Sequence, residues 1–168
     1  GKRRAWNPRR VITLGNHEDR VTRCIENDVA WEGVISLDML DYERSGWEVY
    51  PFLQPVEIEG IAFVHYVTRG IMGRSITSAR AGLTKRHQSF VQGHTQNRDV
   101  AETTDVMGRR QIGLMTGICY THDEGYLTPQ TNTANTWSGI WVLHDCKDGE
   151  MDYMPVSMNY LRDKYGLE

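Results

Sequence analysis

Three short apolar runs in this chain each stop at a turn and each deliver a histidine. That recurrence limits the fold more than any other feature. Residues 10–14 (RVITL) are β-branched and run into Gly15, Asn16 and His17. Residues 57–67 (EIEGIAFVHYV) read as a hairpin-like entry into a strong strand ending near His65. Residues 89–92 (SFVQ) stop at Gly93 and His94. Runs of four to eight β-branched or aromatic residues bounded by turn formers are strands, and helices are expected to cover one face of their sheet.

The covering elements are also legible. Val21, Cys24 and Ile25 recur at helical spacing between residues 19 and 27, a second short helix is expected over 37–42, and helix is possible over 78–87. Pro51 and Pro55 confine WEVYPFL to an edge or loop. Gly70 and Gly73 open a flexible loop. Residues 111–120, 139–144 and 151–158 read as strands, residues 121–138 as a Thr-, Asn- and Gly-rich loop, and residues 159–165 as a closing helical turn. Helices alternate with strands early and strands follow strands late. The expected fold class is therefore α/β, a layered sandwich of mixed β-sheets flanked by helices, with residues 1–168 as one domain.

Composition fits that class, with 39% apolar and 24% charged residues. No run approaches the ~20 apolar residues of a membrane span, and GKRRAWNPRR lacks the apolar core of a signal peptide. A cytoplasmic protein without a membrane partner is expected. Cys24, Cys119 and Cys146 are odd in number and far apart, which excludes a disulfide framework and a zinc ribbon and leaves them as reduced packing residues. Five of the first ten residues are Lys or Arg and none is acidic, so a chain of net charge −3 carries −8 beyond them. That basic head suits either a nucleic-acid backbone, through counterion release, or a solvated loop.

Metal sites recruit imidazole, carboxylate and amide oxygen from the ends of adjacent strands, because rigid strands fix the ligands while loops leave room for substrate. Asn16, His65 and His94 meet that description. Arg69, Arg74 and Arg80 follow the His65 strand and suit a phosphate, or are solvated loop cations. His122, in YTHDEGY, either touches substrate or is a polar loop residue. Trp137 and Trp141 read as core aromatics, with Trp137 also able to line a substrate entrance.

LGNHED (residues 14–19) resembles the GNH(D/E) block of the calcineurin-like metallophosphoesterases. The strand-end His65 of AFVHY follows it, and VQGHTQ (residues 91–96) resembles that family's GHxH block. The resemblance implies a four-layer α/β sandwich and hydrolysis of phosphate esters by two divalent ions (Mn, Fe, Zn, Ni or Mg), held about 3.5–4 Å apart to clamp the attacking and leaving oxygens. It implies that Asn16, His65 and His94 bind one metal and that His17 is the general acid or the donor steadying the leaving oxygen. Glu18 is expected to orient the turn rather than bind metal. The segments TWSGIWVLH and YMPVSMNYL are similar, less specifically, to tails of bacteriophage phosphoesterases, which implies a host cytoplasm as the location.

Two departures from the family pattern bear on the chemistry. The DxH and GDxxD blocks, expected upstream of GNHE, do not occur before Gly15, so the resemblance expects a missing N-terminal half or a partner chain to supply their ligands. Gln96 stands where the last histidine of GHxH is expected, and an amide oxygen is a weaker ligand for a transition metal than imidazole. Alone, the chain is expected to be weakly active or inactive toward a phosphate-ester substrate. The alternative is a domain that kept the fold, lost the chemistry and serves a binding or structural role.

Overall fold

Each of the three apolar runs that lead to a histidine is a β-strand. In a computed structural model, which describes residues 6–120 and 136–166, they are β1 (Val11–Thr13), β4 (Ile61–Val64) and β7 (Phe90–Gln92). The chain divides into two compact units, residues 1–54 and 55–168.

In the first unit β1 pairs in parallel with β2 (Glu48–Tyr50), in the register Val11↔Glu48, Ile12↔Val49, Thr13↔Tyr50. Parallel neighbours need a long crossover. Here it comprises α1 (Asp19–Asn27) and two single-turn 3₁₀ helices, Val29–Trp31 and Leu37–Leu40. Val21, Cys24 and Ile25 fall on the half-buried side of α1, as their spacing requires. The Asp28 carboxylate accepts from the Ala30 N–H at 2.9 Å and so caps the first 3₁₀ turn. Pro51 ends β2, which pairs on one side only among the described residues. Arg9 grips Glu48 with two nitrogens, at 2.8 and 2.6 Å, and this fork holds the Glu48 carboxyl below its ordinary pKa.

The second unit is built on a five-stranded mixed sheet ordered β3-β4-β7-β9-β8. β3 (Val56–Ile58) and β4 form a hairpin through Glu59 and Gly60, both left-handed as a two-residue type I′ turn requires. β4, β7 and β9 (Arg110–Thr116) run parallel, and β8 (Arg98–Thr104) closes the edge antiparallel to β9. Between β4 and β7 come a two-residue-per-strand hairpin, β5 (Thr68–Arg69) with β6 (Arg74–Ser75), and α2 (Ala79–Arg86). Two side chains cap the start of α2: Ser78 Oγ accepts from Ala81 N–H at 3.2 Å and Asp99 Oδ2 from Ala79 N–H at 2.7 Å.

The sheet is covered on both faces. Ile76, Ala79, Leu83, Phe90 and Met115 form one core cluster, in which a Cβ built on Gly82 or Gly113 would lie 2.3 or 2.7 Å from the Phe90 ring. Phe90 is therefore seated between two glycines, and burying such a side chain contributes about 1.5–3 kcal/mol. Ile61, Ile112, Leu114 and Met151 form the other cluster, beneath Trp141 and Tyr153 of the antiparallel hairpin β10 (Gly139–Lys147) and β11 (Glu150–Ser157). α3 (Met158–Tyr165) follows, with Ser157 Oγ accepting from Tyr160 N–H and Gly166 left-handed at its end.

The architecture is α/β with mixed sheets. Three features differ from the sequence reading. β8 is a seven-residue strand that RDVAETT does not announce, because only Val100 and Ala101 are apolar in it. The Gly70–Gly73 loop is the tip of the β5–β6 hairpin. The strand expected over residues 111–120 stops at Thr116, since Gly117 is left-handed and a Cβ on it would meet the Trp137 carbonyl at 2.3 Å. Of the expected loop over 121–138, residues 121–135 lie outside the described residues. The three cysteines are free. Among the described residues no helix is long and apolar enough to cross a membrane.

Candidate metal centre

Parallel strands in register end on one edge of a sheet, and that edge is where open α/β sheets place their ligands. Val64 is opposite Gln92, and Gln92 opposite Met115, so β4, β7 and β9 finish side by side. His65 is the first residue beyond β4, and Gly93 and His94 the first two beyond β7.

The structure brings these two histidines together: His65 Nε2 lies 3.2 Å from His94 Nδ1, with ring centroids 5.0 Å apart and nearly perpendicular. The contact depends on an unusual backbone. His94 has φ 63°, in the left-handed region, and Thr95 N–H donates back to the Gly93 carbonyl at 2.7 Å. A side chain in that region costs about 1–2 kcal/mol relative to glycine, and such strain persists only where the surroundings over-determine it.

Tyr66 completes the cluster, its ring 4.6 Å from that of His94 and 5.6 Å from that of His65. Its hydroxyl donates to the Gly73 carbonyl at 3.2 Å, tying the β5–β6 hairpin to the pair. Gln92, fully buried in β7, supports the same edge: its Oε1 accepts from Val67 N–H at 2.9 Å and its carbonyl from Thr116 Oγ1 at 3.1 Å. Gln92 Nε2 is buried with no hydrogen-bond partner among the described residues, an arrangement that costs about 1–3 kcal/mol.

Two imidazole nitrogens about 2.0–2.1 Å from one cation, at tetrahedral or octahedral angles, lie roughly 2.9–3.4 Å apart. The observed 3.2 Å fits that span. The same distance also suits a hydrogen bond in which one neutral imidazole donates to the other. Within this unit, and among its described residues, no third His, Cys, Asp or Glu joins them as a ligand group. Gln96 is half-buried two residues beyond His94, and its carbonyl accepts from Trp137 N–H at 3.1 Å.

The first unit presents Asn16 and His17 in the turn after β1, Asn16 half-buried and His17 exposed. Glu18 orients that turn, as expected: its Oε2 accepts from Gly15 N–H at 2.8 Å, and Asp19 N–H bonds the Gly15 carbonyl to begin α1. Burial first, then the charge of Glu18 and a hydrogen bond to it, hold the Tyr42 phenol above its ordinary pKa and protonated beside the carboxylate. A cavity of ≈ 630 Å³ in this unit is lined by Leu14, Asp19, Leu37, Tyr42, Val49 and Phe52 among others, and by neither Asn16 nor His17.

Arg69 and Arg74 are exposed and face each other directly across β5 and β6. Arg80 is exposed on α2, and His122 lies outside the described residues. Tyr66 and Gln92 were not read from the sequence. The available clues were an aromatic adjoining a strand-end histidine and an amide closing an otherwise apolar strand.

No protein-family model, curated protein or solved structure matches the chain.

Proposed function

We propose that the chain is a hydrolase of phosphate esters that uses divalent metal ions, of the calcineurin-like metallophosphoesterase type and weakly active at most by itself, and that His65 and His94 are two ligands of one ion. The observation that carries this reading is the 3.2 Å approach of His65 Nε2 to His94 Nδ1 at the ends of adjacent parallel strands. The order GNHE, strand-end His65, Gly93-His94 supports it further, as does a mixed-sheet α/β architecture, with the four-layer sandwich as the proposed finer form.

A divalent ion bound at the pair supplies Lewis acidity toward a phosphoryl oxygen. The chain's own groups do the rest. The two imidazoles, steadied by Tyr66 and the β4 and β7 strand ends, fix one edge of the site. Gln96 offers an amide oxygen, a weaker ligand than imidazole, and the resemblance to the family assigns a further amide oxygen to Asn16. To His17, exposed on a turn held by Glu18, the resemblance assigns the proton given to the leaving oxygen. Arg69 and Arg74 offer guanidinium forks to substrate oxygens, and His122 is a further substrate contact.

A second reading is favoured by the lack of a third His, Cys, Asp or Glu beside the pair among that unit's described residues. In it, the chain kept the fold, lost the chemistry and acts as a binding or structural domain. Metal content and Mn²⁺-dependent hydrolysis of p-nitrophenyl phosphate and bis(p-nitrophenyl) phosphate separate the two. Turnover that needs the metal and vanishes in His65→Ala and His94→Ala supports the enzyme. Absence of histidine-dependent metal binding and of metal-dependent turnover supports the second reading.

A further inference from the structure

The β5–β6 hairpin combines two features that its own stability does not explain. Arg69 and Arg74 are a directly opposed pair of like charges, an arrangement that destabilises a two-stranded ladder, and among the described residues neither enters an ion pair. Between them the tip carries Ile71, fully exposed, and Met72, three-quarters exposed. Gly70 and Gly73, both left-handed, bound the turn with nothing within 4 Å of a built Cβ, and hold Ile71 and Met72 exposed between them. The hairpin is anchored at two points: Arg86 Nη2 donates to Thr68 Oγ1 in β5 at 3.2 Å, and the Tyr66 hydroxyl to the Gly73 carbonyl at the end of the turn. Through Tyr66, whose ring packs on His94, the hairpin is held beside the histidine pair.

Two adjacent guanidinium forks suit a single phosphodiester, which would also cancel their repulsion. An apolar tip flanked by arginines suits a base, as apolar wedges do where proteins enter base steps. A polymer of such units can occupy the arginine pair with one phosphate while presenting another to the histidines. An anionic lipid surface fits less well, because two apolar side chains bury little area in it. We propose that β5–β6 is a nucleic-acid-binding arm, with one phosphodiester held between Arg69 and Arg74 and a base against Ile71 and Met72. This rests on the phosphoesterase reading for the fate of the bound strand, and makes a polynucleotide its substrate class.

Binding is measured without turnover, by fluorescence anisotropy of labelled single-stranded and duplex 20-mers in EDTA over a range of salt. Replacing both arginines, Arg69→Ala with Arg74→Ala, should weaken binding about tenfold and reduce the slope of log K against log salt by about 0.7 on the single strand or 0.9 on the duplex. The pair Ile71→Ser and Met72→Ser should weaken binding about fivefold at unchanged slope. Arg69→Lys with Arg74→Lys should keep the slope and lose part of the affinity, which separates charge and fork geometry from misfolding. Residual binding through the basic residues 2–10 is common to all variants. The proposal is overturned if the alanine variants bind with wild-type affinity and slope, if no oligonucleotide binds, or if they lose only binding to phosphatidylserine vesicles. Strand binding as described without hydrolysis upholds the arm and removes the phosphoesterase reading.

Discussion

His94 is the residue at which stability and function should part. With φ 63° it pays the left-handed penalty of about 1–2 kcal/mol that glycine escapes. His94→Ala and His94→Gly both remove the imidazole and its contacts with His65 and Tyr66, so those losses cancel in their difference. What remains is the penalty, kept by alanine, less the ~0.5–1 kcal/mol of extra unfolded-chain entropy that glycine brings. The glycine variant should be the more stable by up to about 1.5 kcal/mol, melting up to roughly 6 °C above the alanine variant. Both should lose divalent-metal affinity by more than the 10–100-fold typical of an outer-shell partner. Differential scanning calorimetry and isothermal titration with Zn²⁺ read the two effects separately. A more stable alanine variant would refute the strain argument, and wild-type metal affinity in either variant would refute the ligand assignment.

Other substitutions test the frame around the site. Gly82→Ala should lower stability by about 1–3 kcal/mol, because a Cβ 2.3 Å from the Phe90 ring outweighs the ~1 kcal/mol gained in helix propensity; a stabilised variant in urea unfolding would show that Phe90 gives way. Asp105 accepts from the Met107 and Arg109 backbone N–H groups, and the Arg109 backbone bond is the first cause of its depressed pKa. A depressed carboxyl stabilises above its unfolded pKa of about 3.9 and loses that contribution as pH falls through its folded value. The protection of the Met107 and Arg109 amides, relative to intrinsic exchange, should therefore hold at about pH 5 and fall as pH drops below the ordinary carboxylate range, and protection unchanged down to about pH 2 would contradict this. His17→Ala should cut metal-dependent turnover by roughly 10²–10⁴-fold with metal content unchanged; parallel loss of metal would make His17 a ligand.

How much of this was legible in the sequence varies with the physics of each element. β1, β4 and β7 could be read because dense β-branched and aromatic residues ended at turns, and α1 because Val21, Cys24 and Ile25 share a face. β8 was missed because an edge strand needs few apolar residues, and β5–β6 because two glycines look the same in a loop and in a hairpin tip. The convergence of His65 and His94 followed from strand-end placement, since parallel strands joined by a crossover finish on one edge. The left-handed conformation of His94 could not be read, because nothing in a histidine's type predicts it. Nor could the position of Tyr66, which local backbone direction decides. Of the proposed ligands and contacts, Asn16 and His17 belong to the first unit and His65, His94, Gln96, Arg69 and Arg74 to the second, a division that spacing along the chain does not reveal.

The claim that His65 and His94 share one metal ion is tested most directly by zinc K-edge X-ray absorption on the purified chain loaded with one equivalent of Zn²⁺. The account predicts imidazole back-scattering from two histidine nitrogens at about 2.0–2.1 Å, falling to one in His65→Ala and in His94→Ala. A spectrum with no histidine contribution, or one unchanged by both substitutions, would contradict it.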